Sequence, residues 1–369
     1  MIESALELFP GGVNSPVRAY RAVGGQPPTL VRGLGGHVWD DQGREYVDWV
    51  GAFGPLVVGH AHPEVVAAAE HALAAGGPFG VTTEAEVRLA RLVRERMPSI
   101  ERLRFCTSGT EAAMSAVRVA RAATRRRWLV KFEGAYHGHA DPLMGGPDLL
   151  SAPYNDLEAV AALPLHEVAA VIVEPVAGNM GVVPPAPGFL PGLRRLCDQH
   201  GCLLVFDEVI TGFRVAPGGA QELYGVRPDL TVLGKIVGGG LPVGAYGGRA
   251  ELMDLVAPAG PVYQAGTLAG HPVVMAAGEA TLRLLDAEAY RRLEQLSSAL
   301  EEGLRAVGRV ARVGSMLTVF LPDEAAFAAF HQRLRAAGVL IPPSQWEAWF
   351  VSLAHSEEDV ERTLESAIG

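Results

Sequence analysis

Cysteine is scarce: Cys106, Cys197 and Cys202 are all that 369 residues contain. Three cysteines make no disulfide framework, and the single Cys-x4-Cys pair lacks the further cysteines a zinc site needs, so reduced, buried thiols are expected. Long hydrophobic runs are also missing. The apolar stretches are short and broken by glycine or charge, which argues against a membrane span, and no signal peptide opens the chain, so a cytoplasmic protein is expected. Basic residues are in deficit, 31 Lys and Arg against 41 Asp and Glu, for a net charge of −10 and a pI near 5.6. That balance argues against a nucleic-acid surface. His60 and His62 have no acid or cysteine close by in sequence, so they read as helix-entry and packing residues, with no metal site. What is present is bulk: 49% hydrophobic residues, 44 Gly and 26 Pro, enough for a large core and more than one domain.

Thr231 to Gly240, TVLGKIVGGG, sets one lysine between two apolar segments. Burial would push the Lys235 pKa down and leave a nucleophilic amine near neutral pH, which a Schiff-base lysine needs; the plainer alternative is a surface lysine in a turn. Upstream, CLLVFDEVITGFR (Cys202 to Arg214) brings five apolar residues up to Asp207. This reads as a buried parallel strand with a carboxylate at its C-terminal end, where open α/β sheets place ligands; a helix N-cap or a structural ion pair is the alternative. Together the two residues point to pyridoxal 5′-phosphate (PLP). The lysine would hold its aldehyde, and the aspartate would keep its ring nitrogen protonated so that the ring acts as an electron sink.

In chain order, Leu8 to Tyr20 is too broken by Gly and Pro for a helix, and its Arg18 is either a carboxylate clamp or a solvated coil residue. Val31 to Val50 alternates around turns and predicts two or three short antiparallel strands. Helices are expected from Glu64 to about Ala75 and from Glu84 to Met97. Leu103 to Val119 predicts a strand running through Thr107-Ser108-Gly109-Thr110 into a helix, whose N-terminal N–H groups face an anion unless Ser108 or Thr110 merely caps it. This turn is neither a P-loop nor a dinucleotide fingerprint, lacking the lysine of one and the glycine spacing of the other. Tyr136 or His137, after the strand from Trp128 to Phe132, is a candidate to stack on a planar cofactor. Strands near 103, 128, 168, 202 and 229, interleaved with helices, describe a parallel sheet covered on both faces. Pro261 to His271 is a second small-residue loop before a helix, with Thr267 a candidate phosphate contact. Residues from about 280 onward predict a smaller α/β domain with a strand at Ser315 to Leu321.

Taken together, GGVNSPVRA (from Gly11), SGTEA (from Ser108), AYHGH (from Ala135), EPVAGN (from Glu174), DEVITGFR (from Asp207), LGKIVGGG (from Leu233), QAGTLAGHP (from Gln264) and PPSQWEAWFVSLAHSEED (from Pro342) resemble the glutamate-1-semialdehyde 2,1-aminomutases. These are fold-type I PLP enzymes of the class-III aminotransferase group, and the resemblance is collinear over almost the whole chain. SGTEA, DEV-x-TGFR and the lysine motif are shared with ornithine, GABA and related aminotransferases and imply the cofactor. GGVNSPVRA and the SQWEA segment are more typical of the aminomutases.

The resemblance implies an α/β fold with a mostly parallel central sheet, helices on both faces, and a smaller α/β domain built from the N- and C-terminal segments. Residues 1–52 would form an arm and small antiparallel sheet, 53–279 the large PLP-binding domain and 280–369 the C-terminal small domain. Lys235 would be the Schiff-base lysine and proton shuttle, and Asp207 the partner of the pyridine nitrogen. Tyr136, with His137 beside it, would face the ring; Ser108, Gly109 and Thr110 would bind the phosphate; and Asn179 would lie near the ring hydroxyl. Thr267 would reach the same phosphate from the partner subunit of a homodimer. Ser15 and Arg18 would hold the substrate carboxylate, with Phe53 and Glu347 lining the pocket. The implied reaction is an internal amino transfer. The pyridoxamine 5′-phosphate form gives its amine to the aldehyde carbon of (S)-4-amino-5-oxopentanoate, the other amine is taken back from the diamine, and 5-aminolevulinate leaves, in tetrapyrrole (porphyrin) biosynthesis. The chain departs from the family pattern at Phe53, where a tryptophan is usual, at His271, where asparagine is usual, after Phe320, and between Asp141 and Ser151. In the last of these a longer gating loop is reduced to PLMGGPDLL; either the lid is truly shortened, which should let the diamine leave, or the sequence lacks residues there. Two other functions fit the same motifs: a two-substrate PLP aminotransferase or racemase acting on an amino acid, and a PLP-binding protein with little turnover.

Overall fold

The alternating stretch Val31 to Val50 folds as three antiparallel strands, β1 (Leu30–Leu34), β2 (His37–Asp40) and β3 (Glu45–Asp48), paired in order. The computed structural model describes residues 2–369. It divides into one unit made of the chain up to His62 with Glu288–Gly369, and a second unit, Pro63–Ala287.

The second unit is built on a seven-stranded sheet. Its strands are β4 (Arg102–Cys106), β5 (Trp128–Phe132), β6 (Leu149–Ala152), β7 (Val168–Val173), β8 (Leu203–Asp207), β9 (Leu230–Gly234) and β10 (Gly244–Gly248), in spatial order β4-β10-β9-β8-β7-β5-β6. The run β6-β5-β7-β8-β9 is parallel, whereas β10 is antiparallel to both of its neighbours. Two of these seven strands, β6 and β10, go beyond the five expected from the sequence. β6 is short, and β10, GAYGG, has little β propensity of its own. Its glycines are there for clearance: a side chain at Gly244 would run into the Ser108 carbonyl, and one at Gly248 into the Asp229 carbonyl.

Every residue of β7, β8 and β9 is buried, as expected for parallel strands covered on both faces. The two-residue period divides them between two cores. Ala170, Ile172, Leu203 and Val205 pack with Ala112, Ala113, Ala116 and Ala120 of the helix Gly109–Thr124. Val171, Val173, Leu204 and Phe206 pack on the other face with Phe189, Leu193 and Cys197 of the helix Phe189–His200. Alanines on the first helix let its backbone come close to the sheet, and the short link from β4, which ends at Cys106, sets its N-terminus at the strand ends. Among the described residues no helix is long and apolar enough to cross a membrane.

The other unit joins chain ends far apart in sequence. Besides β1–β3 it holds β11 (Arg309–Val313), β12 (Met316–Phe320), β13 (Val339–Leu340) and β14 (Trp349–Phe350), and β13 pairs in parallel with β3. Past an α-helix at Ile2–Leu8, the Gly- and Pro-rich arm forms only 3₁₀ turns, at Pro10–Gly12 and Pro16–Ala19. His355 stacks on Trp49 with ring centroids 4.0 Å apart, and its Nδ1 accepts the Ser352 N–H at 2.9 Å. Burial pushes its pKa down to about 4, and burial with the nearby Arg335 cation does the same for His331. Both stay neutral in the fold where the unfolded chain would protonate near 6.5, so stability is full above that pH and is lost as pH falls toward 4. Denaturant titration should show about 2.5 kcal/mol less stability at pH 5.5 than at pH 7 from these two residues. No loss over that interval would contradict their neutral burial.

Candidate active site

Strand period decides which way the first acid of DEVITGFR points. Leu203 and Val205 face the helix Gly109–Thr124, and two residues on so does Asp207, while Glu208 turns to the opposite side. Glu208 is a structural acid: it accepts the Ala220 N–H at 2.6 Å, the Gln221 N–H at 3.1 Å and the Thr211 hydroxyl at 2.8 Å, with its pKa raised by burial. Asp207 is 5% exposed at the C-terminal end of the central strand. Its Oδ1 accepts the Val209 N–H at 3.1 Å, and its Oδ2 lies 2.7 Å from His137 Nδ1. The His137 side chain is fully buried, and its Nε2 has no partner among the described residues.

Lys235 and the Ser108–Thr110 turn meet at these strand ends. Asp207 is in register with Val232 of β9, and Lys235 follows that strand directly. Lys235 is half-buried between buried neighbours and sits in the left-handed region at φ 51°. A non-glycine residue is held there only by its surroundings. Val209 links the pieces: a methyl group on Gly109 would stand 3.2 Å from its Cγ2, and one on Gly234 3.2 Å from its Cγ1. The start of the helix Gly109–Thr124 and the residue preceding Lys235 thus back onto one side chain, two residues beyond Asp207. Ser108 caps that helix, its Oγ accepting the Glu111 N–H at 3.2 Å. Capping and anion binding are compatible here, because helix geometry leaves the first-turn N–H groups of Gly109 and Thr110 without an i−4 carbonyl. The adjacent Cys106 thiol is pushed up to about 12 by burial and is no nucleophile.

The Tyr136 ring is 50% exposed, and Gly138, at φ +81°, lies against Thr110 so closely that no side chain fits there. Asn179 is half-buried, with its Nδ2 donating to Glu174 at 3.1 Å. Glu174 itself was missed by the sequence reading, although it carries the signal that marks Asp207, an acid closing an apolar strand. The set fits PLP chemically: free N–H donors for a phosphate, a buried carboxylate for a cationic ring nitrogen, an amine for an aldehyde and an open aromatic face. Thr267 is exposed on the loop 261–271, beside Leu268 and Tyr263, which are exposed too. The shortened segment 142–150 runs from the turn Asp141–Met144 through Gly145 and Gly146 into β6.

In the other unit, Phe53 is half-buried on the turn Gly51–Phe53, where Ala52 and Phe53 both have positive φ. Asp48 holds that turn, accepting the Val50 N–H at 2.9 Å and pairing with His60 Nε2 at 2.7 Å. This partner of His60 lies 12 residues away in sequence, out of reach of local inspection. The turn packs on β14, two residues after Glu347. Ser15 and Arg18 belong to the turn Pro16–Ala19, Ser15 half-buried and Arg18 exposed.

The model of the aminotransferase class-III family matches residues 20–149 and 146–366, and its two stretches meet inside the shortened segment. A curated relative from Anaeromyxobacter sp. (strain Fw109-5), named glutamate-1-semialdehyde 2,1-aminomutase, is 51% identical over 411 aligned positions, covering 100% of this chain and 96% of its own. One of the same name from Thermomicrobium roseum is 53% identical, covering 99% and 95%. Among solved structures, a transaminase with PLP bound superposes with a TM-score of 0.93 at 32% identity, covering 99% of this chain and 96% of that one. A glutamate-1-semialdehyde aminomutase from Pseudomonas aeruginosa PAO1 superposes with a TM-score of 0.89 at 26% identity, covering 100% and 92%, and a variant of it is known in complex with PMP. The architecture is that of the fold-type I PLP enzymes. With a family model spanning most of its length and relatives about half identical from end to end, the chain belongs to the class-III aminotransferase family.

Proposed function

We propose that this protein is an aminomutase that converts glutamate 1-semialdehyde to 5-aminolevulinate by moving an amine between neighbouring carbons of one substrate, in tetrapyrrole biosynthesis. The observation that carries the reading is the end-to-end identity of about one half with curated relatives of that activity. The grouping of Asp207, Lys235 and the Ser108–Thr110 turn around Val209 supports it. PLP, cycling with its pyridoxamine form, supplies the electron sink. The chain's residues do the rest. Lys235 holds the cofactor aldehyde and moves the proton between substrate carbons, Asp207 holds the ring nitrogen in its protonated form, and Tyr136 covers the ring face. Ser108, Gly109 and Thr110 hold the phosphate, His137 orients Asp207, and Asn179 turns toward the ring hydroxyl. Ser15 and Arg18 take the substrate carboxylate, and Phe53 and Glu347 line its pocket.

A single-substrate assay tests the reaction. Purified protein supplied with glutamate 1-semialdehyde and no keto acid should form 5-aminolevulinate over many turnovers. Arrest after half a turnover would make it a two-substrate aminotransferase, and an unchanged spectrum with no product would make it a PLP-binding protein. Arg18→Ala should raise KM by about tenfold or more and change kcat little, the pattern of lost ground-state binding; an unchanged KM removes the carboxylate assignment. We also propose a homodimer in which Thr267 completes the partner's phosphate site. Supporting it, the exposed loop is held by Arg104, which donates to the Gln264 carbonyl at 3.4 Å and to its side-chain oxygen at 3.3 Å, yet offers Tyr263 and Leu268 to solvent. A purely monomeric sedimentation boundary for active enzyme would remove this part.

A further inference from the structure

We propose that Glu174 is a positioning residue that fixes three parts of the cofactor site at once, the Tyr136–His137 turn, the Asn179 amide and, through His137, Asp207. This rests on the reading above that PLP binds at Lys235 and Asp207. Glu174 closes β7, 4% exposed. Its Oε1 accepts the Tyr136 N–H at 3.1 Å, and its Oε2 accepts the Gly178 N–H at 3.0 Å and the Asn179 Nδ2–H at 3.1 Å. All three partners are donors, an arrangement that suits an ionised carboxylate and that a carboxamide cannot satisfy at both ends. Burial raises the Glu174 pKa, the nearby Asp207 charge adds to the rise, and His137 and the backbone N–H groups oppose it. The backbone is anchored separately, by the Tyr154 hydroxyl donating to the Glu174 carbonyl at 3.2 Å and to the Pro175 carbonyl at 3.0 Å.

Two consequences follow for the site. Holding the Tyr136 N–H fixes the turn whose next residue lies 2.7 Å from the Asp207 carboxylate, so the aim of Asp207 depends on an acid one strand away. Accepting from Asn179 Nδ2 turns that amide's carbonyl away from Glu174, leaving an acceptor for a hydroxyl donor on the ring. A structural acid would do neither.

The test uses Glu174→Gln, in which one end of the amide meets N–H donors with another donor. Purified wild type and variant are titrated with PLP, and the absorbance of the bound cofactor is followed against pH. The variant should bind PLP about tenfold more weakly, the size of one lost buried hydrogen bond to a charged group, with a displaced band and a displaced pH response. Its kcat should fall by about 10–100-fold with KM changed far less. In a double-mutant cycle with His137→Asn the two losses should fail to multiply, because they act through one chain of contacts. Should Glu174→Gln not fold, Tyr154→Phe loosens the same strand end without touching the carboxylate and should displace the band in the same direction. A variant that only melts earlier, with PLP affinity, band and pH response all as in wild type, overturns the proposal. If wild type itself shows no Lys235-dependent band, the underlying reading fails instead.

Discussion

Lys235→Ala should lower turnover by about 10⁴-fold or more and leave added PLP removable by dialysis. The lysine is asked for two things, a covalent hold on the cofactor and proton transfer, and acid–base transfer alone is worth about 10²–10⁴-fold. Alanine supplies neither. The fold should survive the change. β9 is paired on both sides, by β8 and β10, and the left-handed turn at φ 51° disfavours lysine and alanine alike. An inactive but cooperatively melting variant is therefore the expected result, and a variant retaining a tenth of the activity would remove Lys235 from the chemistry.

Asp207→Asn should cost about 10²–10³-fold in kcat while keeping the side chain's size. The Val209 N–H still finds an oxygen in the variant, but the amide N–H then meets His137 Nδ1, so the loss combines the charge at the ring nitrogen with an altered histidine contact. Asp207→Ala should cost more and weaken PLP binding besides. It takes the acceptor from a wholly buried histidine as well as the counter-charge from the ring. A kcat within tenfold of wild type for Asp207→Asn would mean that a different group keeps the ring protonated.

Residues whose meaning is local were legible in the sequence. Apolar runs ending in Asp207 and at Lys235 mark strand ends, and period two then decides that Asp207, not Glu208, turns toward the helix Gly109–Thr124. Contacts that close over long separations were not. The 2.7 Å approach of His137 to Asp207 spans 70 residues, and Glu174 reaches back 38 residues to Tyr136. Nothing in AYHGH or EPVAGN names those partners. β10 stayed hidden because its sequence answers to the space between β4 and β9 rather than to strand propensity. The pairing of β13 with β3 joins residues near 47 to residues near 339, which hydrophobic pattern cannot reveal.

The chain's only lysines are Lys131 and Lys235, which makes one measurement unusually clear. Lys131 lies on β5 with its Nζ donating to the Leu143 carbonyl at 3.2 Å. Holoenzyme is reduced with borohydride, digested, and the pyridoxyl-bearing peptide identified by mass. The label is expected on Lys235 alone, at about one per chain; a label on Lys131, or none on a protein that turns over substrate, would overturn the assignment of the Schiff-base lysine.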